Sequence, residues 1–370
     1  MPGQGRPVVF LHPSDEMYGA DRVLLEIVDA VPSLDARVWL PTDVHYPQRA
    51  LSTALEERRV PVQHRGLPVL RRSLGVTSAP RIIWQVLAVG AALLRLRPRV
   101  VYLNTSALLL VAPVARLTGA QVVLHLHEHW GRKEAAVLGL LARACRRIVC
   151  VSTAVQDRLP PTLRSRSEVV YNGFAVDHSP TGAPQPSGPL TFVLASRWNS
   201  WKGQESLLEA WDLVDGSDDA RLIVLGGPPL SGQAFDLPEY VGRMRRRDSV
   251  QVVGEVPDVR PYLRECDAVL VPSVRPDPLP TIAIEAAAEG RAVLASDIGG
   301  LPEIVEDGVT GRLLPPNDSR AWALALSSMS REHARDLGAQ ARLRYEKTFQ
   351  PERFSESIRK ILESTIAGDR

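Results

Sequence analysis

The stretch Thr191–Leu213 reads TFVLASRWNSWKGQESLLEAWDL. Its first five residues, Thr191–Ala195, are mostly apolar and predict a buried strand, and Glu205–Leu213 has the apolar spacing of a helix. The loop between them carries two cations, Arg197 and Lys202, at the carboxyl end of the strand and beside the helix N-terminus. A pyrophosphate fits that place, because a helix start offers unbonded N–H groups and partial positive charge. Arginine grips phosphate oxygens as a fork, and lysine acts as a point charge.

The same strand–helix alternation extends in both directions. Downstream, strands are predicted at Arg221–Leu225, Val250–Val253, Ala268–Val271, Ala292–Ala295 and Arg312–Leu314, with a helix at Thr281–Ala288 and a last one from Pro351 to about Ile366. Upstream they fall at Val8–Leu11, Val38–Leu40, Val60–Gln63, Val100–Leu103, Val122–Leu126, Ile148–Val151 and Val169–Tyr171, with helices such as Arg22–Val31 and Glu134–Cys145. Between the two series lies Asp177–Pro189, rich in Pro, Gly and Ser, which reads as a linker. The result is an α/β chain of two domains, residues 1–176 and 190–350, each with a parallel sheet, and a closing helix 351–370 expected to pack back on the first. In such sheets ligands bind at the carboxyl ends of the strands, where the strand order reverses, and two crevices of this kind can face each other across a cleft.

Composition narrows the function. The 370 residues are 45% hydrophobic and 23% charged, an ordinary globular balance. The net charge of +2 conceals an asymmetry, with +8 over residues 1–177 and −6 over the rest. A basic half attracts anionic surfaces or substrates, but no basic stripe with interleaved aromatics points to nucleic acid. Only Lys133, Lys202, Lys347 and Lys360 are lysines, which singles out Lys202. Cys145, Cys150 and Cys266 fit neither a disulfide framework nor a zinc site and read as small buried hydrophobes in a reducing compartment. The N-terminus lacks the apolar run of a secretory signal, and a cytoplasmic location is expected. The apolar run Ile82–Leu94, between Arg81 and Arg95, is shorter than the roughly 20 residues that span a bilayer. With Arg71, Arg72, Trp84 and Arg97 it reads equally as an ordinary amphipathic helix over the sheet or as a peripheral contact with anionic lipid on the inner face of the membrane.

A second cluster is Pro276-Asp277-Pro278-Leu279-Pro280-Thr281-Ile282-Ala283-Ile284-Glu285. Its proline-rich half is a loop, and the helix starts near Thr281. Asp277 precedes that helix and Glu285 lies one turn inside it, so the two carboxylates can accept hydrogen bonds from hydroxyl groups, while N–H groups around Leu279, Thr281 and Ile282 can face phosphate oxygens. Taken alone, Asp277 also reads as a helix cap and Glu285 as a satisfied surface residue.

Together the two clusters resemble retaining glycosyltransferases of family 4, which have the GT-B fold of two Rossmann-like α/β/α domains. That family has an Arg and a Lys in a segment like Arg197–Gly203 and two carboxylates with seven residues between them, as Asp277 and Glu285 have. Ile298–Val305, Asp307–Gly311, Tyr18–Arg22 and Val170–Gly173 are also similar to family segments. The resemblance implies a nucleotide-diphosphate sugar as donor, with Arg197 and Lys202 neutralising the leaving diphosphate, Glu285 holding the ribose and Asp277 the transferred sugar. It places the base on the main chain of Gly254-Glu255-Val256, phosphate or acceptor beside Gly19, and the donor sugar beside His127. Two departures bear on donor identity: the first acidic position, usually Glu, is Asp277, and a common glycine is replaced by Pro280, which has no N–H.

His127 sits in Leu124-His125-Leu126-His127-Glu128-His129-Trp130, where alternation puts His125 and His127 on one face. A strand-end histidine near the ligand outranks both a core histidine and a metal ligand. Acceptor-side candidates are Asp15, Glu16 and Tyr18 after the first strand and Asn104, Thr105 and Ser106 after a later one; each reads equally as a cap or turn residue. The expected reaction is retaining transfer of a hexosyl group without a cofactor or required metal, to a glycan, lipid-linked or small-molecule acceptor in bacterial polysaccharide or glycoconjugate synthesis. A nucleotide-sugar epimerase or a non-catalytic sugar-nucleotide-binding protein are the alternatives. An oxidoreductase is disfavoured by the lack of a G-x-G-x-x-G after a strand.

Overall fold

A computed structural model describes residues 6–71, 78–173, 188–214, 219–228 and 235–368. Of the expected linker, only Gly188 and Pro189 lie within the described residues, as Asp177–Ser187 fall outside them, and so does Arg72. The chain divides into two compact units: Met1–Gly173 with Pro351–Arg370, and Phe174–Gln350.

The first unit is built on seven parallel strands: β1 Val8–Leu11, β2 Ala36–Pro41, β3 Val62–Arg65, β4 Val100–Leu103, β5 Gln121–Leu126, β6 Arg147–Cys150 and β7 Ser167–Val169. Their order is β3-β2-β1-β4-β5-β6-β7. The central strands β1, β4 and β5 are buried along their whole length, as a parallel sheet with helices on both faces requires, so they read as apolar runs rather than alternations. Right-handed crossovers put the helices Gly19–Ala30 and Ala50–Glu57 on one face and those at Ala79–Leu96, Val111–Leu117 and Arg132–Ala142 on the other.

The helix Pro351–Ala367 packs on Gly19–Ala30. Its stripe Phe354, Ile358, Ile361 and Leu362 is buried. Arg359 Nε reinforces the contact by donating to the Ala30 carbonyl at 3.2 Å, and Arg99, directly before β4, ties the far end of the last helix by donating to the Ile366 carbonyl at 3.1 Å.

The second unit has six parallel strands: β8 Leu190–Ala195, β9 Ala220–Leu225, β10 Val250–Gly254, β11 Ala268–Val271, β12 Ala292–Ser296 and β13 Gly311–Leu314, in the order β10-β9-β8-β11-β12-β13. Phe192, Leu208, Trp211, Trp322 and Leu337 lie in its core. The three cysteines are buried free thiols.

Because Ile358 is fully buried in the seam with Gly19–Ala30, Ile358→Ala is expected to lower the stability of the first unit by about 2–5 kcal/mol. Urea unfolding of the full chain checks this; an unchanged first transition would contradict the packing.

Candidate functional site

The strand order of the second unit reverses between β8 and β11. The connections leaving these two neighbours cross to opposite faces, which opens a crevice at their carboxyl ends. Arg197 and Lys202 stand in the loop after β8, and Asp277 in the loop after β11. The loops meet there: the Val274 N–H donates to the Trp201 carbonyl at 3.0 Å, and Lys202 Nζ donates to Asp277 Oδ2 at 2.6 Å. Asp277 is buried and Lys202 partly so, which makes this pair stronger than a surface one. Ser273, fully buried, places its Oγ 3.5 Å from the same oxygen, and the Lys202 ammonium lies 4.2 Å from the Trp201 ring centroid.

Arg197 is half-buried. The loop that carries it is clasped by Gln204, whose Nε2 donates to the Arg197 carbonyl at 2.6 Å and to Ser196 Oγ at 2.9 Å. Gly203 starts the next helix with φ +77°, and a β-carbon there would stand 1.8 Å from the Pro272 carbonyl oxygen. Only glycine lets the Arg197–Lys202 loop lie this close to the Asp277 loop. On its other side, the Asp277 loop rests on Gly299 and Gly300: the Gly300 N–H donates to the Asp277 carbonyl at 2.8 Å.

The helix Thr281–Ala288 begins after Pro280, and no side chain caps it. Asp277 is therefore not its cap, and the N–H groups of the half-buried Thr281 and Ile282 have no capping side chain. Leu279 and Glu285 are buried. At the end of β10, Gly254 has φ +93° and open space where a β-carbon would point, and its carbonyl accepts the Gly226 N–H at 2.7 Å. Glu255 is exposed and Val256 half-buried, so the Gly254–Val256 turn presents main chain rather than side chains around Gly254.

In the first unit the strand order reverses between β1 and β4. There a buried polar chain runs from one strand end to the next. Asp21 Oδ1 lies 2.8 Å from His12 Nε2, and His12 Nδ1 lies 2.9 Å from Asn104 Nδ2. Asn104 Nδ2 also donates to the Ala20 carbonyl at 3.1 Å, and Asn104 Oδ1 lies 3.4 Å from His127 Nε2. The carboxylate sets the order: His12 donates from Nε2 and accepts at Nδ1, and His127 donates from Nε2 to Asn104. Burial raises the Asp21 carboxyl pKa, but hydrogen bonds from His12, Ser14 and Tyr18 outweigh it and hold the group below the usual carboxylate value.

His125 and His127 share a face as alternation requires, with ring centroids 4.2 Å apart. His125 Nδ1 and Tyr102 Oη are hydrogen-bonded at 3.0 Å. Burial, then the neighbouring His12, push the His127 imidazole down to about 3, and burial, then His127, hold His125 well below the usual imidazole value. Glu128 accepts from the N–H and Oγ of Ser106, and burial raises its carboxyl above the usual value. Among the described residues no group of three His, Cys, Asp or Glu is placed to hold a metal ion.

The acceptor-side candidates divide. Asp15 is buried and both its oxygens are engaged: they accept from the Ser52 N–H at 2.7 Å and from Ser52 Oγ, and His64 Nε2 lies 3.0 Å away. It therefore anchors the helix Ala50–Glu57. Tyr18 is the N-cap of the helix Gly19–Ala30, and its N–H donates to Asp21 Oδ2 at 3.0 Å. Gly19 opens that helix, half-buried, without a positive φ. Asn104 is fully buried and supports His127. The sequence reading omitted His12, Ser14, Gln204 and Ser273; the one available signal was a histidine directly after the first strand.

A family model described as Glycosyl transferases group 1 matches residues 189–332 and one described as Glycosyltransferase Family 4 matches residues 17–178. A D-inositol 3-phosphate glycosyltransferase of Jonesia denitrificans is 35% identical over 147 residues, covering 37% of this chain and 34% of that protein. The one of Mycolicibacterium smegmatis is 30% identical over 198 residues, 46% of this chain and 44% of that protein. The chain thus spans less than half the length of these curated relatives. The crystal structure of Anabaena Alr3699/HepE in complex with UDP superposes with a TM-score of 0.79 at 25% identity, covering 97% of this chain and 100% of that one.

Two outcomes are expected. Gly203→Ala, with its 1.8 Å clash against main chain, is expected to displace the loop and abolish donor binding, whereas Gly254→Ala meets nothing and costs only backbone strain of about 1–2 kcal/mol. Thermal melts with and without nucleoside diphosphate distinguish the two. His125 and His127 are neutral in the fold, while unfolded imidazoles titrate near ~6.5, so stability is full above that pH and declines as pH falls toward the His127 value of about 3. A melting temperature unchanged between pH 7 and pH 5 would contradict this.

Proposed function

Since the chain belongs to the group 1, family 4 glycosyltransferases and has their two-domain, Rossmann-like GT-B fold, we propose that it transfers a hexosyl group, with retention, from a nucleotide-diphosphate sugar to an acceptor hydroxyl. The observation that carries this reading is the Lys202–Asp277 pair at the β8/β11 reversal, 2.6 Å long, in the loop that also carries Arg197 and beside a helix start with no side-chain cap.

In this reading the diphosphate lies between Arg197, Lys202 and the N–H groups of Thr281 and Ile282. Glu285 accepts from the ribose hydroxyls and Asp277 from the sugar. The main chain of Gly254, Glu255 and Val256 holds the base, with Leu279 beside the phosphates. The anomeric C–O bond to the diphosphate breaks as charge moves onto the phosphate, which the fixed cations stabilise. The acceptor oxygen bonds to the anomeric carbon from the same face, and its proton passes to a leaving phosphate oxygen. The cations and N–H groups do the work of charge neutralisation, so a metal ion is not required. That Alr3699/HepE is solved with UDP supports a uridine donor.

In the first unit, His127 is the residue assigned to the donor sugar, held by Asn104, and Gly19 leaves the start of its helix without a side chain. The acceptor is a glycan, a lipid-linked sugar or a small molecule, and the setting is cytoplasmic synthesis of a bacterial polysaccharide or glycoconjugate. Asp15 and Tyr18 support this acceptor end of the first unit.

Arg197→Ala is expected to lower kcat by about 100-fold or more, measured as nucleoside diphosphate release with acceptor present, and a saturating donor is expected to raise stability by roughly 2.7 kcal/mol at 100 times its Kd. Donor binding without turnover on any acceptor would leave a sugar-nucleotide-binding protein instead. Unchanged turnover in Arg197→Ala would remove the reading.

A further inference from the structure

The first unit carries a second feature that sugar transfer does not use. The helix Ala79–Leu96 is 18 residues long, about 27 Å at 1.5 Å per residue. It is long and apolar enough to cross a membrane by length and composition, exceeding the run Ile82–Leu94 visible in the sequence, yet only 22% of its apolar window is buried.

Its exposure follows the helical period. Gln85, Val89, Gly90 and Leu93 face inward, and Gly90 allows close approach to Val114 of the next helix. Ile83, Trp84, Leu87 and Leu94 are 58–67% exposed, and at 3.6 residues per turn they fall within about 100° of arc on the opposite side. Arg95 and Arg81, both exposed, continue that arc on its Trp84 side. The packed neighbour Val111–Leu117 adds Leu117, 84% exposed, and Arg116.

Charge identifies what covers this face. On and beside it stand Arg81, Arg95, Arg97 and Arg116, and from Arg81 to His127 the chain has no aspartate or glutamate. Arg81, Arg95, Arg97 and Arg116 make no ion pair among the described residues. A second copy docking the same face about a two-fold axis would bring like charges together. An anionic bilayer satisfies both features, with the apolar stripe in the acyl boundary and guanidinium groups among the phosphates. The helix cannot leave to span the bilayer without exposing its buried Gln85, Val89 and Leu93 and uncovering Val114, so it lies in the interface.

We propose that the outer face of Ala79–Leu96 is a monotopic docking surface for anionic lipid, which would place the first unit at the membrane. This goes beyond the assignment of sugar transfer and stands or falls separately from it.

The test is co-sedimentation of the full chain with phosphatidylcholine vesicles, with and without phosphatidylglycerol. Binding is expected only with the anionic lipid and is expected to weaken as salt rises. Trp84→Ser with Leu87→Ser, and separately Arg81→Glu with Arg95→Glu, are each expected to cut partitioning by about tenfold or more. Both variants should keep the parent's melting temperature and its donor-induced stabilisation, since their side chains point to solvent. Failure to bind anionic vesicles, equal binding by the parent and both variants, or a dimer in light scattering that Trp84→Ser with Leu87→Ser dissolves would overturn the proposal. Loss of sugar transfer with lipid binding intact would overturn the assigned activity instead.

Discussion

Main chain packed against main chain, with no room for a β-carbon, holds the carboxyl edge of the second unit's sheet together. Gly203 sits against the Pro272 carbonyl, Gly226 against that of Ser196 and Gly300 against that of Pro278, each with a virtual β-carbon at 1.8–2.0 Å. These contacts tie the loops after β8, β9, β11 and β12 into one layer. The Lys202–Asp277 pair is a consequence of that layer, since the two residues are 75 positions apart in the chain.

The first unit solves the same problem with side chains. Its strand order also reverses beside the first strand, but the gap is bridged by Asp21, His12, Asn104 and His127 in one directed run of hydrogen bonds. Because Asp21 accepts and Asn104 has one donor end and one acceptor end, each imidazole has a single consistent tautomer. The His127 ring is thereby neutral and held in one orientation by Asn104.

Much of this was legible in the residues. Strands such as Val8–Leu11, Val100–Leu103 and Ala268–Val271 are short apolar runs that only a doubly covered parallel sheet accommodates, and they lie where expected. Arg197, Lys202, Asp277 and Glu285 stood out by their position at strand ends and helix starts. Asp15 did not reveal its role, because its partners Ser52 and His64 come from a different helix and strand. Gln204 was equally silent, and His12 showed only its place directly after the first strand: a buried histidine and a loop-clasping glutamine have no local periodicity.

The sequence by itself determined the alternation of strands and helices, the two-unit division, and the residue types at each strand end, because apolar period and loop chemistry are local properties of the chain. Tertiary structure alone decided which strand ends are neighbours, and therefore that Lys202 meets Asp277 and that Asn104 joins His12 to His127. It also decided that one side of Ala79–Leu96 faces solvent while the other is covered. Those outcomes depend on strand order and crossover handedness, which bring distant segments together and which no single segment encodes.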